Sequence, residues 1–130
     1  MDYSILSEHF SVLSLAYTLS VDDHWRWDVV EDFIVPWGYN HSQIQVLIEL
    51  PNDYPLSPPG VGSSGIFLPR SIRYHDRELR DLHPRTRPRV RCRGKWAWFC
   101  YQWIHWDPMW DDLVKLLEMV RADLTNPKTY

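Results

Sequence analysis

The sequence predicts an α+β fold in which one antiparallel sheet packs against a helix from each end of the chain. Three observations support this class. Alternating or β-branched segments fill the first half of the chain, turn residues separate them, and an amphipathic helical pattern occupies residues 108–124. A chain of 130 residues is expected to form a single domain over residues 1–130.

The N-terminal residues predict a helix that gives way to the first strand. Residues 4–16 place apolar side chains at helical spacing, and Ser4 is a favourable N-cap. Residues 13–21 alternate apolar and polar side chains, which is typical of a half-buried strand. We therefore expect an N-terminal helix that leads directly into the sheet.

Further strands are predicted to complete a four-stranded antiparallel meander. Residues 25–35 and 43–50 are rich in the β-branched and aromatic types that fit a pleated sheet, and residues 36–41 separate them. Residues 60–74 are expected to supply the fourth strand, although glycines and a proline interrupt it. Because short turns join successive strands, we expect neighbouring strands to pair antiparallel.

Residues 108–124 predict a C-terminal helix that crosses the sheet. Asp107 is placed to cap its first turn, Pro108 suits the first helical position, and residues 125–127 end the pattern. The apolar side chains form one stripe at helical spacing: Trp110, Leu113, Val114, Leu117, Val120 and Leu124. This stripe is expected to pack against the sheet.

Charge is distributed unevenly along the chain. Residues 70–95, here called the basic segment, hold ten Lys or Arg and three acidic residues, a net charge of 10 − 3 = +7. The remaining residues hold 4 basic and 14 acidic residues, a net charge of 4 − 14 = −10. Within the basic segment, residues 75–94 lack periodicity and predict a long exposed loop. For the basic segment we expect either an acidic protein surface as partner or no partner at all, and the acidic remainder of the chain disfavours the alternative, a nucleic acid.

The two cysteines, Cys92 and Cys100, are the candidate nucleophiles. Cys100 lies in an aromatic stretch, residues 96–108, that is alternatively a strand with a buried structural thiol. The spacing of the cysteines fits neither a CxxC pair nor a disulfide framework, which favours a reducing compartment. With no signal-peptide pattern and no long apolar window, we expect a cytoplasmic protein without membrane contact. The cysteines and histidines match no common zinc pattern, so no metal site is expected.

A proline-rich stretch follows the third predicted strand. Residues 51–59, here called the proline segment, read Pro-Asn-Asp-Tyr-Pro-Leu-Ser-Pro-Pro. Together with the strands before it, this segment resembles the meander and the Pro-x-x-Tyr-Pro-x-x-Pro-Pro signature of ubiquitin-conjugating enzymes, and it contains the whole pattern. The resemblance covers residues 25–127 and implies a UBC-like fold with a long catalytic-side loop and one C-terminal crossover helix. The last two helices of eukaryotic members are expected to be lacking.

The resemblance also implies a nucleophile. In the family a catalytic cysteine precedes a Trp-Ser-Pro turn, and Cys100 similarly precedes Trp106-Asp107-Pro108. The implied reaction is transthiolation, in which Cys100 accepts a ubiquitin-like protein as a thioester from an activating enzyme and passes it to an amine of a protein substrate. This step needs no cofactor. Cys92, which lies farther upstream with an arginine on each side, is the second candidate.

The residues expected to support the thiol depart from the family pattern. A His-Pro-Asn turn precedes the family's cysteine, whereas this chain reads His83-Pro84-Arg85. Arg85 or His83 is expected to replace the asparagine as an electrostatic donor to the oxyanion. Asp107 is a further supporting candidate that would orient or deprotonate the incoming amine, and helix capping is the favoured alternative for this residue.

The aromatic Cys100 region most resembles compact bacterial members of the superfamily, which are encoded beside ubiquitin-like proteins and activating enzymes. The resemblance implies a bacterial conjugation pathway associated with defence against phage. The competing interpretation is a non-catalytic UBC-like module that binds a ubiquitin-like protein and uses Cys100 only for packing. Solvent exposure of Cys100 distinguishes the two interpretations.

Overall fold

The computed structural model describes residues 3–60, 65–89, 92–101 and 105–130. Within these ranges the chain forms two helices and one six-stranded antiparallel sheet. In chain order the elements are α1 (Tyr3–Ser14), β1 (Leu19–Val21), β2 (Trp27–Ile34), β3 (Gln43–Glu49), β4 (Gly65–Pro69), β5 (Leu82–His83), β6 (Trp96–Phe99) and α2 (Leu113–Thr125). The strands lie in the order β1-β2-β3-β4-β6-β5. No helix among the described residues has the length and apolar character needed to cross a membrane.

The α+β class and the N-terminal helix are confirmed, but the sheet is larger than predicted. Strands β1 to β4 are sequential antiparallel neighbours. The prediction of four strands is wrong, because β6 pairs with β4 and β5 pairs with β6. Strand β5 has two residues and lies within the predicted loop, so it is too short to show a periodicity. The first strand is also shorter than predicted, since α1 continues to Ser14 and β1 begins at Leu19.

The main core lies between the sheet and the two helices. Alternate side chains along the strands point toward the helices, as the two-residue period of a strand requires. The members of this core come from both layers and include Leu6, Phe10, Leu13, Val30, Val46, Ile48, Leu116, Leu117 and Val120. Full burial of such a side chain contributes about 1.5–3 kcal/mol. This cluster therefore supplies most of the free energy that holds the helices on the sheet.

A second, smaller cluster lies on the opposite face of the sheet. It is formed by the residues that alternate with the core-facing ones: Val29, Leu47, Phe67 and Trp96. The basic segment covers part of this face, because the N–H of Arg89 donates to the Glu49 carboxylate at 2.9 Å. Glu49 is 4% exposed, so a buried carboxylate at the end of β3 holds the basic segment against the sheet.

Helix α2 begins later than predicted. Its N-cap is Asp112, whose carboxylate accepts the N–H of Lys115 at 3.0 Å. A cap at Asp107 is therefore wrong, because the Asp107 carboxylate accepts the N–H of Met109 at 2.9 Å in a separate turn. Trp110 lies between this turn and the helix and is 82% exposed, so it does not belong to the apolar stripe. The other residues of the predicted stripe are buried or half-buried.

Candidate functional site

The proline segment lies against the turn that precedes α2. Its Tyr54 is 1% exposed, and the Tyr54 ring centroid lies 6.0 Å from that of Trp106. The Tyr54 hydroxyl is hydrogen bonded to Nδ1 of His9 at 2.7 Å, which joins α1 to the same segment. Burial raises the pKa of Tyr54 well above its usual range, so the phenol stays protonated. Tyr54 thus connects three parts of the chain.

Two side-chain hydrogen bonds attach the chain near Cys100 to the proline segment. The Tyr101 hydroxyl donates to the carbonyl of Pro59. The indole Nε1 of Trp106 donates to the carbonyl of Pro55 at 2.6 Å. Gly60, with φ of +107°, leaves room for the Tyr101 ring, because a Cβ there would lie 3.0 Å from a ring carbon. Tyr101 and Trp106 are therefore each attached to the proline segment, at Pro59 and Pro55 respectively.

Cys100 directly follows the last residue of β6 and is exposed to solvent. Its N–H donates to the carbonyl of Asp81 at 2.8 Å. Leu82 pairs with Phe99, so this hydrogen bond extends the β5–β6 pairing by one residue and places Asp81 opposite Cys100. Asp81 is not among the site residues predicted from the sequence. No signal along the chain marks it, because its position depends on the pairing of a two-residue strand.

Strand β5 brings His83 next to this position. His83 pairs with Trp98, and their ring centroids lie 5.2 Å apart. Diagonal neighbours in an antiparallel pair lie about 7–8 Å apart, which is the separation expected between His83 and Cys100. Arg85 lies in the following turn, which the N–H of Thr86 closes by donating to the His83 carbonyl at 3.3 Å. Arg85 is exposed and makes no hydrogen bond or ion pair with another described residue.

The acidic residues near Trp106 are held by local contacts. The N–H of Asp107 donates to the Asp111 carboxylate at 2.7 Å, and Asp107 accepts from Met109 as described above. Asp111 is 8% exposed and forms an ion pair with Lys115 at 3.6 Å. These contacts give Asp107 and Asp111 structural roles in the turn before α2.

Cys92 lies apart from this site. It is half-buried and packs against the cluster on the second face of the sheet. Burial raises the pKa of the Cys92 thiol, which lowers the fraction of nucleophilic thiolate. Among the described residues, no three His, Cys, Asp or Glu side chains are grouped in a way that would hold a metal ion.

The comparison with protein families covers nearly the whole chain. The model of prokaryotic E2 family E matches residues 2–126, which include the proline segment, both cysteines and the turn before α2. Comparison with curated proteins and with solved structures gives no match. The family match associates the chain in general with ubiquitin-like conjugation in prokaryotes. The chain therefore belongs to prokaryotic E2 family E.

Proposed function

We propose that this chain is a ubiquitin-conjugating-type carrier enzyme that holds a ubiquitin-like protein as a thioester on Cys100. The observation that supports the proposal most is the exposure of Cys100 at the end of β6. A free cysteine that only fills space is usually buried. The hydrogen bond from Tyr101, the residue after Cys100, to the Pro59 carbonyl fixes the chain next to the thiol.

The proposed reaction consists of two acyl transfers. In the first, the Cys100 thiolate attacks the thioester carbon that joins the ubiquitin-like C-terminus to a cysteine of the activating enzyme. A new C–S bond forms, the old C–S bond breaks, and the activating enzyme's thiolate leaves. In the second, a substrate amine attacks the Cys100 thioester, an amide bond forms, the Cys100 thiolate leaves, and the amine loses a proton. Neither transfer requires a metal or a nucleotide.

Three side chains are proposed to support these transfers. His83, diagonal to Cys100 across β5 and β6, is proposed to take the proton of the attacking amine. Arg85, in the exposed turn after His83, is proposed to place positive charge near the oxyanion. Asp107 is proposed as a positioning residue only, because its carboxylate is already engaged with the N–H of Met109.

Cys100→Ser is expected to convert a labile adduct into a stable one. Incubated with its activating enzyme, ATP and the ubiquitin-like protein, the wild-type chain should form an adduct that a thiol reductant removes. A serine at this position would form an oxygen ester, which the reductant does not cleave. Cys100→Ala should form no adduct. Gel electrophoresis with and without reductant measures all three results.

Cys92→Ser is the matched control, because it removes the other cysteine and leaves Cys100 in place. It is expected to form the reductant-sensitive adduct at the wild-type rate. An adduct that persists in Cys100→Ala and is lost in Cys92→Ser would show that Cys92, and not Cys100, is the nucleophile. A chain that forms no adduct at all would instead fit a non-catalytic binding module.

Arg85→Ala and His83→Ala are each expected to slow the transfer to lysine by about tenfold or more. Both side chains are exposed, so the free energy of unfolding should change by less than about 0.5 kcal/mol. Discharge of the preformed thioester to free lysine in a single turnover measures the rate. Arg77→Ala is the control, since it removes an exposed arginine of the same basic segment. If the thioester of Arg85→Ala is discharged to lysine at the wild-type rate, Arg85 has no role in the transfer.

The proposed partners are an activating enzyme, a ubiquitin-like protein and a protein substrate. The proposal places the reaction in the bacterial cytoplasm, in a conjugation pathway that defends against phage. This part of the proposal is supported by the resemblance described above.

A further inference from the structure

The basic segment surrounds a cavity on the second face of the sheet. The cavity has a volume of about 600 Å³, and its lining includes Arg70, Arg87, Arg93, Lys95, Cys92 and Trp96. Four of these side chains are cationic, and none of the described lining residues is acidic. Part of the surplus of positive charge in the basic segment is therefore concentrated around one open cleft.

Nearby carboxylates do not neutralise these four cations. Among the described residues, no Asp or Glu oxygen lies within 4.0 Å of any of them. Within the same set, Arg70 alone donates from its side chain, through Nε to the Trp96 carbonyl at 3.1 Å. Like charges held together without a counter-ion repel each other, so a bound anion would lower the free energy of this arrangement.

Main-chain contacts hold the wall of the cavity in place. The N–H of Arg70 donates to the Lys95 carbonyl at 3.0 Å, which joins the end of β4 to the start of β6. The indole Nε1 of Trp96 donates to the Arg93 carbonyl at 3.0 Å. Gly94, with φ of +132°, permits this turn, since a Cβ there would lie 2.7 Å from Trp96 Nε1. These contacts fix the positions of the residues that line the cavity.

A second cavity adjoins the first. It has a volume of about 380 Å³, shares Cys92, Arg93 and Trp96 with the first cavity, and extends across the sheet to Trp27, Glu31 and Gln45. The Glu31 carboxylate accepts hydrogen bonds from Ser20 Oγ at 2.7 Å and from Gln45 Nε2, and its negative charge would keep a phosphate in the first cavity. The lining also includes the indole side chains of Trp27 and Trp96, against which a flat ring can pack.

We propose that the two cavities together bind a small phosphorylated molecule that carries a flat, weakly polar ring. The phosphate would lie among the four cations of the first cavity, and the ring would lie beside Trp27 in the second. Arginine is well suited to this role, because its guanidinium binds phosphate through two hydrogen bonds and stacks on flat rings. Each cavity falls within the range of about 300–1,000 Å³ that is usual for small-molecule sites. A mononucleotide is a simple molecule that has both parts.

Calorimetric titration of the full chain with AMP, inorganic phosphate and adenosine tests the proposal. AMP is expected to bind saturably, with an affinity about tenfold or more above that of either inorganic phosphate or adenosine, because it alone occupies both cavities. Bound AMP should also slow the alkylation of Cys92, which lines both cavities, in a Cys100→Ser background.

Two variants separate the contributions of the two cavities. Arg93→Ala is expected to weaken AMP binding by about tenfold, because Arg93 lines both cavities. Trp27→Leu removes an indole ring that lines the second cavity only, and it is expected to weaken AMP binding while leaving phosphate binding unchanged. Arg80→Ala is the matched control, since Arg80 is an exposed arginine of the basic segment outside the cavity lining.

Three results would overturn the proposal. AMP binding that does not saturate at physiological ionic strength would show that the cavities hold no such ligand. Equal losses of AMP affinity in Arg80→Ala and Arg93→Ala would show that AMP is attracted by the overall charge of the basic segment and not bound at the cavities. An oligoribonucleotide that binds more tightly than AMP would make this face a nucleic-acid surface instead. None of these results bears on the thioester at Cys100, so the two proposals stand or fall separately.

Discussion

Trp106→Ala is expected to lower the free energy of unfolding by about 3–5 kcal/mol, as is usual for aromatic-to-alanine changes in a core. Trp106 is 7% exposed and packs against Tyr54. The substitution leaves a cavity and also removes the donor of the 2.6 Å hydrogen bond to the Pro55 carbonyl. Urea denaturation followed by circular dichroism measures the change.

Two further variants test the explanation. Trp106→Phe keeps most of the ring packing and removes the N–H, so we expect a loss of about 1–2 kcal/mol. Trp110→Ala should change stability by less than about 0.5 kcal/mol, because Trp110 is 82% exposed. Equal losses for Trp106→Ala and Trp110→Ala would contradict the placement of the two side chains.

Asp28→Asn is expected to stabilise the protein at neutral pH and to flatten the dependence of stability on pH. Asp28 is fully buried in β2, and neither carboxylate oxygen has a hydrogen-bond partner among the described residues. Burial raises the pKa of Asp28 to about 8. An aspartate in the unfolded chain has a pKa of about 3.9, so the folded chain binds the proton of Asp28 much more strongly than the unfolded chain does.

The direction of the pH effect follows from these two pKa values. Below about pH 4, both the folded and the unfolded chain carry the protonated carboxyl, so the stability does not change with pH through Asp28. Between about pH 4 and 8, the folded chain keeps a proton that the unfolded chain has lost, so stability falls as pH rises. The slope is about 1.4 kcal/mol per pH unit. From about pH 5 to about pH 8, Asp28 alone should lower the stability by on the order of 4 kcal/mol.

The pH effect is measured as the difference between two unfolding series. Urea denaturation of the wild type and of Asp28→Asn at several pH values isolates the contribution of this carboxyl from that of every other group. Asp23→Asn is the matched control, because Asp23 is an exposed aspartate in the turn before the same strand. Parallel pH profiles for the wild type and Asp28→Asn would show that the carboxyl is not held protonated.

The elements predicted correctly from the sequence are those that hold a periodicity over many residues. Helix α1 spans 12 residues, and β2 and β3 span eight and seven, so each repeats its pattern several times. Strands β5 and β6 span two and four residues and exist because they pair with each other and with β4. Pairing between distant segments leaves no repeat in the sequence, which explains why a sheet of four strands was predicted.

The first residue of α2 could not be predicted for a different reason. Both Asp107 and Asp112 satisfy the residue preference for an N-cap, and Pro108 at the following position favours Asp107, although the structure has the cap at Asp112. Trp106 is held by its hydrogen bond to Pro55, and Asp107 forms a separate turn with Met109. The choice between the caps thus depends on a contact with the proline segment, far away in the chain.

The candidate site was only partly predictable for a similar reason. The order of motifs pointed to Cys100, and the charge count identified the basic segment. The position of Asp81 opposite Cys100 and the Tyr101 hydrogen bond to Pro59 depend on how distant segments fold together. The burial of Asp28 was equally hidden, because a polar residue in an alternating strand is ordinarily expected to face solvent.

The strands at the two edges of the sheet are its shortest, with three residues in β1 and two in β5. Such edges present few unpaired main-chain N–H and C=O groups. An extended peptide therefore gains little by adding itself as a further strand, and sheets of separate molecules have little tendency to join edge to edge. Protein partners must accordingly be recognised through side chains, loops and the faces of the molecule.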